Sequence, residues 1–490
     1  MSGRLASDWN ELGLSESERA SNALTAKERR SAWAAALYYW NQGLDTDPLH
    51  LPCLLNRLHA LKVLGNSFSV MEEAGVLLTQ MQANKESWQK LSPPNTPGWG
   101  LAWRPPQFPF VSRPLVLNPH LSPWEQYLHF LARWMAAHSG VSFRPESTPF
   151  WRLALTIDPE DIEAQVIIGL YLAKQAQVEG AFLLHKIQKA VEDSHLHWAE
   201  SCANLAKEHL TSVLNGKPPV LPGTQSHENQ GIKALYEDDS IILISPSLNS
   251  ISTQVILSSG HWFEPEIDFC RRYLRLGMSM LDIGASIGSY TILAAKQVGE
   301  EGSVFAFEPS ITCASLLEKS IELNRMSGYV KAATKAVGSQ TGKVYLILNE
   351  DDIFNRTVSD LYGVTSPTQQ VDQVTLDEWW LSNQEPNIDL VKIDIGGDAL
   401  TVLKGAQHLL SHTSPVLIME ANGGRGSLSE QASEYLRERG YSVFYYSYYL
   451  KELLPAQKFV ESLSALNVIA VASERYQELV ELGLLDPDIL

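Results

Sequence analysis

Cysteine is scarce in this sequence, with four residues in 490 that lie far apart and show no CxxC spacing. This scarcity argues against a disulfide framework and a zinc site, and it is typical of reduced thiols. No apolar run approaches membrane-spanning length, and the N-terminal residues lack the apolar segment of a signal peptide. We therefore expect a soluble cytoplasmic protein that has no membrane partner.

Clusters of basic residues are also missing. The chain has 38 Lys and Arg against 56 Asp and Glu, a formal net charge of -18. Because a nucleic-acid backbone is bound by clustered positive charge, we do not expect nucleic acid as a partner. With 490 residues the chain is too long for one ordinary domain, and we predict two or three.

The first half of the chain has the apolar spacing of helices. Two segments each pair amphipathic helices around an Asp-Pro turn, at Asp47-Pro48 and at Asp158-Pro159. Both resemble tetratricopeptide units, whose helix pairs stack because neither helix buries its apolar face alone. This half is predicted to be all-α, either as a generic helical domain or as a surface that binds a peptide or protein.

Proline and glycine mark two breaks in the chain. Residues 91–123 are rich in Pro and Trp and are predicted to form an ordered loop. Residues 214–231 combine Pro, Gly and polar residues, and we place the domain junction there. The predicted organisation is a helical domain at 1–215, a linker with short strands at 216–275, and a ligand-binding domain at 276–490.

Residues 278–310 constrain the function most. They run from an apolar strand through Gly284 and Gly288 into a helical pattern, then into a second strand that ends in Glu308-Pro309. This order is typical of half a nucleotide-cofactor site, where glycines allow close backbone approach and the acid accepts bonds from ribose hydroxyls. Beyond residue 232 strands alternate with helices, which predicts an α/β domain with a mostly parallel sheet. Within it, residues 252–260 are predicted as a strand and residues 398–410 as one helix. The last strands are open to an antiparallel arrangement.

The glycine turn favours one cofactor. It lacks the GxGxxG pattern of dinucleotide sites, and Asp282 puts a carboxylate where pyrophosphate would be repelled. S-adenosylmethionine carries an ammonium and a sulfonium but no phosphate. The combination of Asp282, the turn and Glu308 therefore favours S-adenosylmethionine.

Several motifs, in this order, resemble the FkbM-type methyltransferases: LDIGASIGSYT, VFAFEPS, AVG, VTLDEWW, LVKIDIGGDALTVLKGA and PVLIMEA. The resemblance runs from about residue 262 to 471. It implies the Rossmann-like fold of a class I S-adenosylmethionine-dependent methyltransferase. Members of the family usually methylate hydroxyls of sugars or polyketide-type natural products, and some methylate amide nitrogens of ribosomal peptides.

The resemblance also implies roles for single residues. Asp282 and the two glycines would hold the methionine end of the cofactor, Glu308 its ribose and the segment at Ala336 its adenine. Ser286 stands where the family often has Asn and keeps a hydrogen-bonding group. The cofactor-binding residues implied in this way are Glu264, Asp282, Gly284, Ser286, Gly288, Glu308, Pro309, Ala336 and Val337.

A hydroxyl acceptor needs a base or a metal to develop alkoxide character. Asp394, at the end of a predicted central strand, is the first candidate base, and a helix or turn cap is the alternative for it. Glu420 and His261 are the next candidates. His408 and His412 lie four apart on a predicted helix, but no third ligand has a diagnostic spacing. No metal site is predicted.

One motif departs from the family pattern. The segment IDIGGDA replaces the usual IDVEGAE, so that the two glutamates become Gly396 and Ala399. Three hypotheses remain open. The protein is an O-methyltransferase for a saccharide or secondary metabolite, an N-methyltransferase for a peptide bound by the helical half, or a non-catalytic scaffold.

Overall fold

The computed structural model describes residues 4–489 with gaps and divides them into two compact units, residues 1–203 and 204–490. The gaps are 66, 84–87, 89–90, 95, 98, 104–117, 119, 140–145, 189–195, 216–230, 238, 246, 350–354, 359–360, 362–363, 397, 422–427 and 457–466. Most of the predicted junction at 214–231 and part of the predicted loop at 91–123 therefore lie outside the described residues. Among these residues, no helix has the length and apolar character needed to cross a membrane.

Nine helices precede the first strand in the described part of the chain. Both predicted helix pairs form around their Asp-Pro turns, and Thr25 and Asp161 cap two of the helices by accepting backbone N–H bonds. The helical character is thus confirmed, while the tetratricopeptide-like repeat stays a prediction. The helices are α1 (Ala6–Asn22), α2 (Ala26–Thr46), α3 (Leu51–Val63), α4 (Ser67–Ala83), α5 (Pro123–His138), α6 (Thr148–Ile157), α7 (Ile162–Lys174), α8 (Val178–Ile187) and α9 (Leu196–Leu214).

The second unit alternates strands with helices, as predicted. Its helices are α10 (Ile251–Ser259), α11 (Glu266–Tyr273), α12 (Ser289–Val298), α13 (Ile311–Leu323), α14 (Leu376–Ser382), α15 (Ala399–Lys404), α16 (Gln407–Thr413), α17 (Leu428–Arg437) and α18 (Tyr476–Glu481). Its strands are β1 (Ile232–Tyr236), β2 (Ser240–Ile244), β3 (Ser279–Ile283), β4 (Ser303–Phe307), β5 (Val330–Ala333), β6 (Ala336–Val337), β7 (Gly342–Ile347), β8 (Arg356–Val358), β9 (Thr368–Val374), β10 (Leu390–Ile393), β11 (Val416–Glu420), β12 (Tyr441–Ser447), β13 (Glu452–Pro455) and β14 (Asn467–Ala472).

An eight-stranded sheet forms the centre of this unit, in the order β13-β12-β14-β11-β10-β3-β4-β5. The five strands from β11 to β5 are parallel, whereas β14 runs antiparallel to both β11 and β12. The predicted α/β class with a mostly parallel sheet is confirmed, and the antiparallel pairing falls on the last strands. Buried side chains of β3, β10 and β11 pack with those of α14 to α17 in one apolar core.

A second sheet has the order β6-β9-β7-β8. Strand β9 lies parallel to β6 and antiparallel to β7, with which it shares six residue pairs. We call this four-stranded sheet the accessory sheet. Separately, β1 and β2 form an antiparallel pair ahead of the central sheet.

Two local predictions were wrong. The segment STQVILSSG, expected as a strand, is helix α10, because Ser250 caps its N-terminus and Gly260 ends it in the left-handed region. The segment from 398 to 410, expected as one helix, is divided between α15 and α16 at Gly405. Both carboxylate oxygens of Asp377 accept backbone N–H bonds from the start of α16, at 3.1 and 3.0 Å, so the second helix has its own cap.

Candidate active site

The turn after β3 is built on two glycines in the left-handed region, with φ of +80° at Gly284 and +102° at Gly288. A Cβ on Gly284 would lie 1.9 Å from the carbonyl oxygen of Asp394, and one on Gly288 would lie 2.5 Å from Leu317 Cδ1. The first approach, to a backbone oxygen, leaves no room for a side chain, and the second would require the Leu317 side chain to move. The turn therefore fits tightly against the end of β10 on one side and against α13 on the other.

Glu308, directly after β4, ties this turn to the next loop. Its Oε2 accepts the Ser286 N–H at 2.8 Å, and its Oε1 accepts the Ser310 N–H at 2.7 Å. Glu308 as a whole is only 7% exposed. One carboxylate thus holds both loops that follow the neighbouring strands β3 and β4.

Ser286 lies in the same turn with a φ of 49°, an uncommon conformation for a residue other than glycine. Its Oγ is buried and has no hydrogen-bond partner within the described ranges. A buried hydroxyl without a partner costs free energy that a bound ligand can recover. The turn therefore offers one unused polar atom beside the Glu308 carboxylate, which suits a ligand that carries hydroxyl groups.

The side chain of Asp282 is enclosed by the fold. Its Oδ2 accepts a hydrogen bond from Thr291 Oγ1 at 2.6 Å, and only 2% of the residue is exposed. Burial raises the pKa of Asp282 to about 6. The contact with Thr291 joins β3 to the first turns of α12, so that Asp282 fixes the helix that begins at the glycine turn.

Four of the predicted site residues lie at one edge of the central sheet. The strand pairs Phe307–Ile283, Ile283–Ile393 and Ile393–Met419 are in register. The residues that follow these pairs therefore stand side by side at the carboxyl ends of four parallel strands, where α/β sheets bind ligands. These residues are Glu308, Gly284, Asp394 and Glu420.

Lys392 was not predicted as a site residue, but its side chain lies at this edge beside two of the predicted acids. Its side chain is 1% exposed, and Nζ donates to Asp394 Oδ2 at 2.8 Å and lies 4.0 Å from Glu264 Oε2. Nζ also lies 4.8 Å from the ring centroid of Tyr290, whose hydroxyl donates to Glu264 Oε2 at 2.6 Å. We call these four residues the lysine cluster. The signal was present, because Lys392 precedes Asp394 by two positions in an apolar strand and so faces the same side.

The lysine cluster keeps a cation inside the protein. Burial alone would lower the pKa of Lys392, but the charges of Asp394 and Glu264 raise it above its ordinary value. The side chain of Asp394 is 39% exposed, against 8% for that of Glu264. Asp394 is therefore the carboxylate of the cluster that a second molecule can reach.

Glu266 is a further buried acid close to the lysine cluster, and it was not predicted as a site residue. It is 3% exposed, and its Oε2 accepts a hydrogen bond from Asn467 Nδ2 at 3.1 Å. Burial, together with the nearby charge of Glu264, raises the pKa of Glu266 to about 8. The Glu266 side chain therefore carries a proton at neutral pH.

The raised pKa of Glu266 predicts a pH-dependent stability. Between its ordinary pKa of 4.5 and about 8, the folded state binds more protons than the unfolded state, so the free energy of unfolding falls as pH rises. Glu266→Gln abolishes this titration. We expect the melting temperature of the variant to rise relative to that of the wild type between pH 5 and pH 8. At pH 8 the free energy of unfolding of the variant should exceed that of the wild type by on the order of a few kcal/mol. Parallel melting curves across this range would contradict the prediction.

Glu420 has a further neighbour at this sheet edge, whereas His261, Ala336 and Val337 lie in other surroundings. Glu420 ends β11 and pairs in register with Asn467 of β14. His261 lies between α10 and α11, where its carbonyl oxygen accepts a bond from Ser259 Oγ at 2.7 Å. Ala336 and Val337 form β6, and their buried side chains pack into two separate apolar cores.

The segment IDIGGDA differs from the family pattern, and the structure shows a local role for two of its residues. Gly396 has a φ of +75°, a conformation that a glutamate would adopt only with strain. Asp398 caps α15, with its Oδ1 accepting the Thr401 N–H at 3.4 Å. The acid that this sequence adds is therefore a helix cap, and Gly397 lies outside the described residues.

Comparison with known proteins relates part of this unit to one domain family. Residues 282–443 match the methyltransferase FkbM domain. The match begins at Asp282 and covers the turn, Glu308, the lysine of the cluster and the accessory sheet. This part of the chain is thus similar to a methyltransferase domain of the FkbM type, and its mostly parallel sheet agrees with the α/β fold that the sequence predicted. No curated protein matches the chain.

Solved structures resemble the chain only distantly. Methyltransferase FkbM from Methylobacillus flagellatus KT is 15% identical, with 65% of this chain and 66% of that chain covered and a TM-score of 0.26. An S-adenosylmethionine-dependent O-methyltransferase from Thermotoga maritima is 14% identical, with 54% and 81% covered and a TM-score of 0.26. Precorrin-6y C5,15-methyltransferase from Geobacter metallireducens GS-15 is 17% identical, with 36% and 72% covered and a TM-score of 0.23.

Proposed function

We propose that the protein uses S-adenosylmethionine to methylate a hydroxyl group on a saccharide or secondary metabolite. The observation that carries the proposal is the joint position of Glu308, the glycine turn and Asp394 at adjacent strand ends. Donor-binding groups and an accessible carboxylate lie there within one sheet edge. Methyl transfer needs this proximity, because donor and acceptor must be aligned for an in-line displacement.

The residues at the turn fit the cofactor. Glu308 offers carboxylate oxygens to ribose hydroxyls, and Ser286 offers a buried Oγ that lacks a partner within the described residues. Gly284 and Gly288 keep the backbone of the turn free of side chains. Asp282, Glu264, Pro309, Ala336 and Val337 complete the proposed set. When bound, S-adenosylmethionine supplies the electrophilic methyl group.

Asp394 is the proposed base. Its carboxylate is accessible, stands next to the glycine turn and is held by Lys392 Nζ at 2.8 Å. It would accept the hydrogen bond, and then the proton, of the acceptor hydroxyl as that oxygen develops negative charge. Lys392 orients the carboxylate and offsets its charge while remaining out of contact with solvent. Glu420, at the end of the next strand, is the second candidate for this role.

Binding measurements test the cofactor proposal directly. We expect the wild-type chain to bind S-adenosylmethionine and S-adenosylhomocysteine in calorimetry. It should also transfer radiolabel from S-adenosylmethionine to members of a panel of saccharides and hydroxylated natural products. A chain that binds neither compound at millimolar concentration would be a non-catalytic scaffold. Label transferred to peptides alone would favour N-methylation.

Asp394→Asn separates catalysis from binding. The substitution keeps the shape of the side chain but removes its capacity to take a proton, so we expect the rate of methyl transfer to fall by about 10²–10⁴-fold. Affinity for S-adenosylhomocysteine should change by less than about threefold. Asp398→Asn is the matched control, because asparagine caps a helix as well as aspartate does. A rate equal to that of the control would remove Asp394 from the mechanism.

A further inference from the structure

A side chain of the accessory sheet binds the loop that joins β4 to α13. Gln369, in β9, donates from Nε2 to the Pro309 carbonyl oxygen at 2.8 Å, and its Oε1 accepts the Ile311 N–H at 3.4 Å. These two backbone groups flank Ser310. One amide therefore holds the loop after β4 on both sides of the residue whose N–H binds Glu308.

The strand that carries this amide is well anchored. Gln369 pairs with Leu346 in the six-residue ladder between β9 and β7, and β9 also pairs with β6. The backbone of Gln369 is thus fixed by its pairing with β7, while β6 holds the other end of β9 at Gln373 and Val374. A side chain on such a strand can hold a loop in place at little additional entropic cost.

The loop is consequently bound from two directions. Glu308 Oε1 accepts the Ser310 N–H at 2.7 Å from within the loop, and Gln369 binds the flanking groups from the accessory sheet. The primary amide supplies both the donor and the acceptor that these two bonds need. A glutamate at position 369 would lose the hydrogen bond to the Pro309 carbonyl oxygen, and a methionine would lose most of both hydrogen bonds.

We propose that Gln369 is a positioning residue that holds the Glu308 carboxylate in its ligand-binding orientation. The inference rests on the proposed function, because it assigns the accessory sheet a part in binding the cofactor. Gln369 acts through the loop and Glu308, so it contributes to affinity rather than to the chemical step. Its loss frees the loop between Pro309 and Ile311 and adds an ordering cost to each binding event.

Calorimetry with S-adenosylhomocysteine tests the role. We expect Gln369→Met to weaken binding by about five- to tenfold, in line with the loss of hydrogen bonds that order the loop. The matched control is Gln370→Met, since the exposed Gln370 contacts only the Tyr345 hydroxyl, at 3.5 Å, among the contacts resolved for it. The control should bind as the wild type does. Equal affinities of Gln369→Met and wild type would overturn the proposal.

A double-mutant cycle excludes a purely structural role. If Gln369 acts through Glu308, the effect of Gln369→Met should largely vanish in a Glu308→Ala background, whereas independent effects would add. Additive losses would overturn the proposal. If Gln369→Met lowers the melting temperature, the measurements are made with Gln369→Glu instead. Glutamate keeps a polar side chain, but its carboxylate cannot donate a hydrogen bond to the Pro309 carbonyl oxygen. Wild-type protein that binds no S-adenosylhomocysteine would refute the proposed function itself, whereas normal wild-type binding with an unaffected variant refutes only the role of Gln369.

Discussion

Lys392→Met should destabilise the second unit by about 3–5 kcal/mol, the usual effect of removing one partner of a buried ion pair. The reason is the lysine cluster, in which the Lys392 ammonium is 1% exposed and lies 2.8 Å from Asp394 and 4.0 Å from Glu264. Methionine has a similar length but leaves the carboxylates without their cation. Differential scanning calorimetry of the full chain should show the corresponding transition roughly 10 °C lower.

A surface lysine supplies the control for this experiment. Lys343 lies 3.3 Å from Asp372, and both side chains are more than half exposed. Solvent screens such a pair, so Lys343→Met should change stability by less than about 1 kcal/mol. If Lys392→Met melts at the same temperature as Lys343→Met, the two carboxylates do not depend on the buried cation.

Glu308→Ala should reduce affinity for S-adenosylhomocysteine by roughly ten- to a hundredfold. Hydrogen bonds to a charged group contribute about 1.5–3 kcal/mol, and this carboxylate would lose its proposed ribose contacts. It would also release the Ser286 and Ser310 N–H groups, which it binds at 2.8 and 2.7 Å. Isothermal titration calorimetry measures the change.

Glu301→Ala controls for net charge in this test. Glu301 is exposed in the connection between α12 and β4, so its loss removes the same charge away from the turn. We expect the control to bind as the wild type does. Affinity that is unchanged in Glu308→Ala would refute the assignment of Glu308 to the ribose and, with it, the main support for the cofactor.

The fold of the second unit could be predicted because its signals are local. The strand ending in Asp282-Ile283, the glycines and the acid after β4 are each recognisable over a few residues, and the sheet follows from their alternation. The segment that became α10 could not be assigned in the same way. Its β-branched and apolar residues fit a strand, and the helix depends on caps at Ser250 and Gly260 whose effect only the folded chain reveals.

The candidate site was predicted less completely, because it is assembled from distant segments. Glu264 and Asp394 were identified singly. The spacing of two positions places Lys392 on the same side as Asp394, but nothing local indicates that its ammonium also approaches Glu264. Glu266 illustrates the same difficulty. Its raised pKa depends on burial and on the nearby Glu264 charge, which are properties of the packed structure.

The close approach of Gly284 to the Asp394 carbonyl has a consequence for how such sequences are sorted. A Cβ at position 284 would lie 1.9 Å from that oxygen, so packing alone demands glycine there. Selection for folding would preserve this glycine in a descendant that had lost every trace of methyl transfer. Surveys that count enzymes by the DxGxxxG signature of Asp282, Gly284 and Gly288 would then include inactive relatives.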